Sequence, residues 1–294
     1  MMPVNSFLEY LELERNYSDC TVGAYRVDLE SFEKFFRSED ESLEWDTVDA
    51  DIVRRWIVAL MDNGYMSSSV NRKLSSLRSF YKFMLRRGDV KQNPMAKVKG
   101  PKGKKPLPYF VKEADMNRLL DEANFGEGFV ACRDKMVISM FYATGVRLAE
   151  LVGMNDYDVD YQASQIKVTG KRNKQRLIPF GDELRDLLQE YIGMRDRCCP
   201  RLTEALFVNE KGERIGRGQV ANLVRKHLSK VVSMKKRSPH VLRHSFATSM
   251  LNNHAELSVV KELLGHESLA TTSIYTHATF EEMKQVYKLA HPRA

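Results

Sequence analysis

Apolar residues recur every three or four positions through the first third of the chain. Val22, Tyr25, Leu29, Phe32 and Phe36 follow Ser18-Asp19 and predict an amphipathic helix with a capped start. Val53, Trp56, Ile57, Leu60 and Met61 share a second helical face after Asp49 and Asp51, with Gly64 as its stop. A third helix begins at Ser67-Ser68-Ser69 and places Val70, Leu74, Leu77, Tyr81 and Leu85 on one side. Arg72, Lys73, Arg78, Lys82, Arg86 and Arg87 load the same helix with positive charge up to Gly88. The period is then lost. Residues 91–112 hold seven lysines and no acid, and Pro94, Gly100, Pro101, Gly103, Pro106 and Pro108 break any helix. This stretch reads as a linker, either a solvated tether or a strap across a phosphate backbone.

Helical spacing resumes with Met116, Leu119 and Leu120 and again from Met136 to Phe141. The period then changes. Gln165–Thr169 and Arg176–Phe180 are short β-type runs around a polar turn at Gly170–Gln175, which predicts a hairpin, and Ala205–Asn209 offers a third strand. Leu184, Leu187, Leu188 and Tyr191 restart helices that continue almost to the end. The expected organisation is a helical domain at 1–90, a linker at 91–112 and a mostly helical domain with a small antiparallel sheet at 113–294.

Composition adds direction. At 294 residues and 43% hydrophobic content the chain can build two domain cores. Its net charge of +7 is unevenly spread: residues 1–51 carry 4 basic and 14 acidic side chains, residues 52–90 carry 8 and 2, and residues 91–294 carry 34 and 23. A basic excess concentrated after residue 51 points to an anionic partner. Met136–Val146, the strongest apolar charge-free run, is too short for a membrane helix, and the acidic start is unlike a signal peptide, so a cytoplasmic protein without a membrane segment is expected. Cys20, Cys132, Cys198 and Cys199 form no zinc or disulfide pattern.

Three motif matches fail on inspection. Gly126-x-Gly128-x-x-Ala131 follows a helical pattern where a dinucleotide fingerprint needs a strand. Asp156, Asp158 and Asp160 start like a calcium loop, but Tyr161 and Lys167 stand where Gly and a carboxylate are needed. His240 and His244 are spaced to clasp a metal, yet Arg243 between them repels a cation.

What remains is a dispersed basic set. Arg147 follows Gly145 at the end of an apolar helix and precedes Glu150, a pairing that on its own reads as a structural ion pair. Lys171 sits at the hairpin tip, and His240 and Arg243 lie three apart after Ser238-Pro239, a helix start with a serine cap. His266 follows Leu264-Gly265, and Tyr275 stands in Ser273-Ile274-Tyr275-Thr276-His277. Taken singly these are a solvated turn, a helix cap and a core aromatic. In this order they resemble the tyrosine recombinase (phage integrase) family, most closely its Xer-type members, over nearly the whole chain. The Ala-Thr-Gly-x-Arg-x-x-Glu-Leu box holds Arg147 and Glu150, Lys171 follows 24 residues later, His-x-x-Arg holds His240 and Arg243, Leu-Gly-His ends at His266, and Tyr275 comes nine residues after it. Arg172 and Gln175 depart slightly from the Xer pattern.

The chemistry suits these residue types. Two guanidiniums neutralise the non-bridging oxygens of a five-coordinate phosphorus, a phenolate is both nucleophile and tolerable leaving group, and a lysine ammonium protonates the departing 5′-hydroxyl. The resemblance therefore implies a helical SAM-like core-binding domain joined to a DNA breaking-rejoining domain. It implies Arg147, Lys171, His240, Arg243, His266 and Tyr275 as catalytic residues with Glu150 in support, a 3′-phosphotyrosyl intermediate, and a Holliday junction. Bond number is conserved, so no metal, ATP or other cofactor is expected. Double-stranded DNA with paired inverted repeats would be the partner, bound by a homo- or hetero-tetramer, with room for an accessory protein. Arg72, Lys73, Arg78, Lys82, Lys102, Lys104, Lys105 and Arg172 are the candidate DNA contacts, and Phe280, Met283, Val286 and Leu289 are spaced to dock on a neighbour. Chromosome-dimer resolution leads, with inversion or mobile-element integration as the same chemistry in other service. A non-catalytic DNA-binding protein, the rival of another class, predicts decay of the catalytic set, and a metal-dependent nuclease needs clustered carboxylates.

Overall fold

The computed structural model describes residues 3–103, 109–121, 125–170, 173–265 and 277–294. The chain divides into two units, Met1–Pro106 and Leu107–Ala294, each built on its own apolar core. Among the described residues no helix is long and apolar enough to cross a membrane.

The first unit is helical. Helix α1 (Pro3–Glu9) runs into a wide turn at Tyr10–Glu14 and is followed by α2 (Asp19–Glu39), α3 (Ala50–Asp62) and α4 (Ser67–Arg87). Leu29, Phe32, Phe36, Val53, Val70, Leu74, Leu77 and Tyr81 are fully buried, as their spacing predicts. Leu85 is exposed instead, and Phe80, Phe83 and Met84 complete the inner face of α4. The face is shifted because α1 also packs on it, with the Phe7 ring 5.4 Å from both Phe80 and Phe83. Asp49 caps α3 by accepting from the Asp51 and Ile52 backbone N–H groups at 2.9 Å. Ser18 occupies the corresponding position of α2 but bonds Thr21 Oγ1 rather than the backbone.

The expected linker is anchored at both ends. Met95 and Val98 are buried in the first unit's core, Arg78 donates to Val98 O and Asn71 Nδ2 to Pro101 O. Val111 is buried in the second core, and its N–H donates to Ser245 Oγ at 2.7 Å. Met95, Val98 and Val111 account for this, since each is buried in a core, whereas Tyr109 and Phe110 stay exposed.

The second unit starts with α5 (Glu113–Asp121), α6 (Gly128–Thr144) and α7 (Leu148–Gly153). An antiparallel sheet follows, β1 (Val159–Asp160), β2 (Gln165–Thr169) and β3 (Gln175–Pro179), in the order β1-β2-β3. Helices α8 (Asp182–Cys198), α9 (Arg217–Leu228), α10 (Pro239–Asn252), α11 (Leu257–Leu264) and α12 (His277–Ala290) complete it. Helix α6 is central: every residue from Met136 to Thr144 is buried.

One sequence expectation changes here. Ala205–Val208 is buried, yet it is no strand: it makes only single bridges, Asn155 to Ala205 and Val208 to Arg214. Its polar groups are taken instead by Arg195 Nη1 on Ala205 O and Leu206 O, Tyr191 Oη on Leu206 O, and Met154 O on the Leu206 N–H. The face of α12 spaced to dock on a neighbour is divided between this unit's core and its surface. Met283, Tyr287 and Ala290 join the core, His291 stacks on Tyr287 with ring centroids 5.1 Å apart, and Leu289 is left 87% exposed.

Candidate active site

The turn between α6 and α7 sets the first arginine. Gly145 ends α6 in the left-handed region (φ 60°), and a β-carbon there would lie 2.5 Å from Phe246 Cδ1 and 2.9 Å from Leu264 Cδ2. Only glycine lets α10 and α11 approach this turn. Arg147 then stands in extended conformation at the N-cap of α7, where its side chain caps nothing and is available elsewhere. Glu150, three residues on, accepts the Arg147 backbone N–H at 2.8 Å and Arg147 Nη1 at 2.7 Å. The structural ion pair read from the sequence is present, and it orients a guanidinium.

Helix α11 ends at Gly265, also left-handed (φ 62°), leaving its last carbonyls without partners in the helix. Three arginines from three different elements supply them. Arg176 Nε donates to Leu263 O at 2.8 Å, Arg243 Nη2 to Leu264 O at 2.6 Å, and Arg147 Nη2 to Gly265 O at 2.8 Å. Arg243 also donates from Nη1 to Gly145 O at 2.5 Å. Consecutive carbonyls at the negative end of a helix dipole thus gather cations that would otherwise repel one another.

Among the described residues, one carboxylate, Glu150, pairs with these guanidiniums. Glu150 is buried and takes Arg176 through Nη1 and Nη2, both at 2.9 Å, as well as Arg147. Burial alone would raise its carboxyl, but the hydrogen bonds and charge of Arg176 and the donors of Arg147 hold it below the usual carboxylate range. Burial, followed by the charge of Arg147, pushes Arg243 down to about 10, still protonated at neutral pH. The surplus positive charge makes the cluster a receptor for an oxyanion.

His240 lies one turn before Arg243 on α10. Pro239 is the first residue of that helix, and Ser238 holds the N-cap position without a capping bond from its side chain. His240 is exposed, its ring centroid 4.8 Å from that of His244, and burial with the charges of His244, Lys236 and Arg243 lowers its pKa. Arg147, Glu150 and Arg243 are therefore brought together as expected, with His240 on the same helix as Arg243. Lys171, Arg172, His266 and Tyr275 lie outside the described residues. Arg176 was not anticipated: nothing in its local sequence distinguishes it from other strand residues.

In the first unit, Lys82 and Lys102 are exposed, and Arg78 is half-buried against Val98 O. Arg72 is 53% exposed at its side chain and grips Asp28 through Nη1 (2.5 Å) and Nη2 (2.7 Å). Lys73 is a correction to the list of DNA contacts: its side chain is only 7% exposed and its ammonium bonds the same Asp28 at 3.2 Å, so it faces the core. Lys104 and Lys105 lie outside the described residues. The exposed face of α4 runs through Ser68, Arg72, Ser75, Lys82 and Arg86.

Comparison with known proteins bears on both units. Residues 109–282 match the phage integrase family, and residues 4–88 match the phage integrase N-terminal SAM-like domain. The chain is 36% identical to tyrosine recombinase XerC of Chlorobaculum tepidum, over 99% of this chain and 94% of that protein. It is 39% identical to tyrosine recombinase XerC of Halalkalibacterium halodurans, over 99% and 97%. The XerH site-specific recombinase bound to palindromic difH substrate, in a post-cleavage complex, has the same fold: TM-score 0.73 at 18% identity, over 98% of this chain and 82% of that one. An arginine cluster built to receive an oxyanion, a match across both units and this similarity over almost the full length lead to one conclusion: the chain belongs to the phage integrase family, the tyrosine recombinases.

Proposed function

We propose that this recombinase cuts and rejoins duplex DNA through a 3′-phosphotyrosyl intermediate and a Holliday junction. The observation that carries the reading is the convergence of Arg147, Arg176 and Arg243 on the last carbonyls of α11, with Glu150 pairing Arg147 and Arg176. Arg147 and Arg243 would hold the non-bridging oxygens of the scissile phosphate. The Tyr275 phenolic oxygen bonds phosphorus as the bond to the sugar 5′-oxygen breaks, and Lys171 delivers the proton that oxygen needs. His240 and His266 hydrogen-bond the phosphate and exchange the phenol's proton. The phosphotyrosyl ester retains the bond energy, so a 5′-hydroxyl from the partner strand reverses the step without ATP or a metal.

The substrate is double-stranded DNA with paired inverted repeats, bound by four protomers. Arg72, Arg78, Lys82, Lys102, Lys104, Lys105 and Arg172 are the proposed contacts to its backbone. The relatives named XerC support a Xer-type role, with chromosome-dimer resolution in the cytoplasm as the task. A nicked duplex carrying candidate repeats tests the chemistry, because loss of the short downstream strand traps the covalent species. A denaturant-resistant protein–DNA adduct is expected from the natural chain and none from Tyr275→Phe; an adduct that persists in that variant overturns the mechanism.

A further inference from the structure

Arg176 has no part in the chemistry just described, yet it is the most fully engaged member of the cluster. Its side chain is 8% exposed and all three of its nitrogens are bonded: Nη1 and Nη2 to the two oxygens of Glu150, Nε to Leu263 O. Each Glu150 oxygen is thereby shared, Oε1 between Arg176 and Arg147 Nη1, Oε2 between Arg176 and the Arg147 backbone N–H. Arg176 also stands on β3 opposite Val168, on the hairpin whose tip carries Lys171. The turn end of that hairpin lies against the same carboxylate: a β-carbon on Gly170 would be 3.3 Å from Glu150 Oε1.

We infer that Arg176 is a positioning residue for DNA cleavage, acting through Glu150 on Arg147. The inference rests on the proposed cleavage chemistry. By sharing both oxygens of the carboxylate, Arg176 limits how far Glu150 neutralises Arg147 and leaves more of the latter's charge for the scissile phosphate. A Glu150 released from Arg176 would turn both oxygens to Arg147, as carboxylates do with a guanidinium fork, and pull it from Gly265 O. The same side chain ties the hairpin to the end of α11, so the chain segments that lead to Lys171 and His266 start from one fixed point.

The test compares cleavage of two nicked duplexes, one with an ordinary scissile phosphate and one with a methylphosphonate there, which lacks the non-bridging charge that Arg147 would neutralise. Arg176→Met should form adduct on the phosphate about 10- to 100-fold more slowly than the natural chain, less than the ~10²–10³ cost of losing a direct oxyanion donor. On the methylphosphonate the two should agree within about threefold. Arg176→Lys should fall between them on the phosphate, because one ammonium cannot supply a bidentate pair and reach Leu263 O together. Equal slowing on both duplexes would show a merely structural role and overturn the inference, as would a phosphate rate for Arg176→Met within about twofold of the natural chain. If circular dichroism shows Arg176→Met unfolded, Arg176→Lys carries the same two-substrate comparison. Failure of the natural chain to form any adduct would instead strike the cleavage chemistry itself.

Discussion

Asp28 makes the sharpest test of how the first unit is held together. It is a carboxylate with no exposed surface in the middle of α2, and it accepts four hydrogen bonds from α4: two from Arg72, one from Lys73 Nζ at 3.2 Å and one from Ser76 Oγ at 2.7 Å. Arg72 reaches solvent and loses little if its partner goes. Lys73 does not; its ammonium sits 6.0 Å from the Trp56 ring centroid and 5.8 Å from that of Tyr65. Asp28→Asn keeps the shape but removes the charge and turns an amide N–H toward donors, leaving Lys73 a buried cation without a carboxylate. Removing one partner of such a pair costs about 3–5 kcal/mol. Asp28→Asn with Lys73→Met removes the stranded charge as well and should recover about 2 kcal/mol of that loss.

The protein carries its own probe, since its two tryptophans, Trp45 and Trp56, are both buried in the first unit's core. Urea unfolding of the full chain followed by tryptophan fluorescence therefore reports this unit. With a slope of roughly 2 kcal/mol per molar, Asp28→Asn should lower the midpoint by about 2 M and the double variant by about 1 M. A single-variant shift below about 0.5 M, or a double variant no more stable than the single, would falsify the view that Lys73 is held by Asp28.

Two further outcomes are expected in the second unit. Gly145→Ala combines a left-handed backbone with a β-carbon 2.5 Å from Phe246 and should cost about 2–4 kcal/mol, or about 5–15 °C in thermal unfolding, whereas Gly193→Ala, inside α8 with open space around it, should leave stability equal or higher; equal melting of the two variants would contradict this. His291 is pushed down to about 4 by burial, so the unfolded chain binds the extra proton between there and about 6.5. Its contribution is full above pH ~6.5 and is lost, up to about 3 kcal/mol, as the pH falls toward 4. His291→Gln should flatten the stability profile in that window alone, and parallel profiles for the two proteins would count against it.

Much of the fold was legible because it follows from local periodicity. Leu29, Phe32 and Phe36 are buried for the reason their spacing gives, and the hairpin at Gln165–Pro179 lies where alternation and polar turn residues put it. The misses are of another kind. Lys73 was read as part of a basic face because a helix pattern shows charge but not where a buried countercharge lies, and Asp28 is 45 residues away. Ala205–Val208 has the composition of a strand, but composition does not reveal that Arg195 and Tyr191 side chains take its carbonyls. Arg176 was missed for the same reason: its partners Glu150 and Leu263 lie 26 and 87 residues away.

The proposed catalytic arginines stand out by their order along the chain, and the structure shows what holds such like charges together. Each like-charged guanidinium needs a local compensation, and among the described residues Glu150 bonds only two of the three. The remainder comes from backbone carbonyls: Gly145 O at the end of α6 and Leu263, Leu264 and Gly265 O at the end of α11. Carbonyls attract a guanidinium without cancelling its charge, which a second or third acid would do. Both helix ends must stop in the left-handed region to present those oxygens, and glycine stands at both, Gly145 and Gly265. The glycines that look like helix punctuation in the sequence are thus what lets this site hold several cations close together.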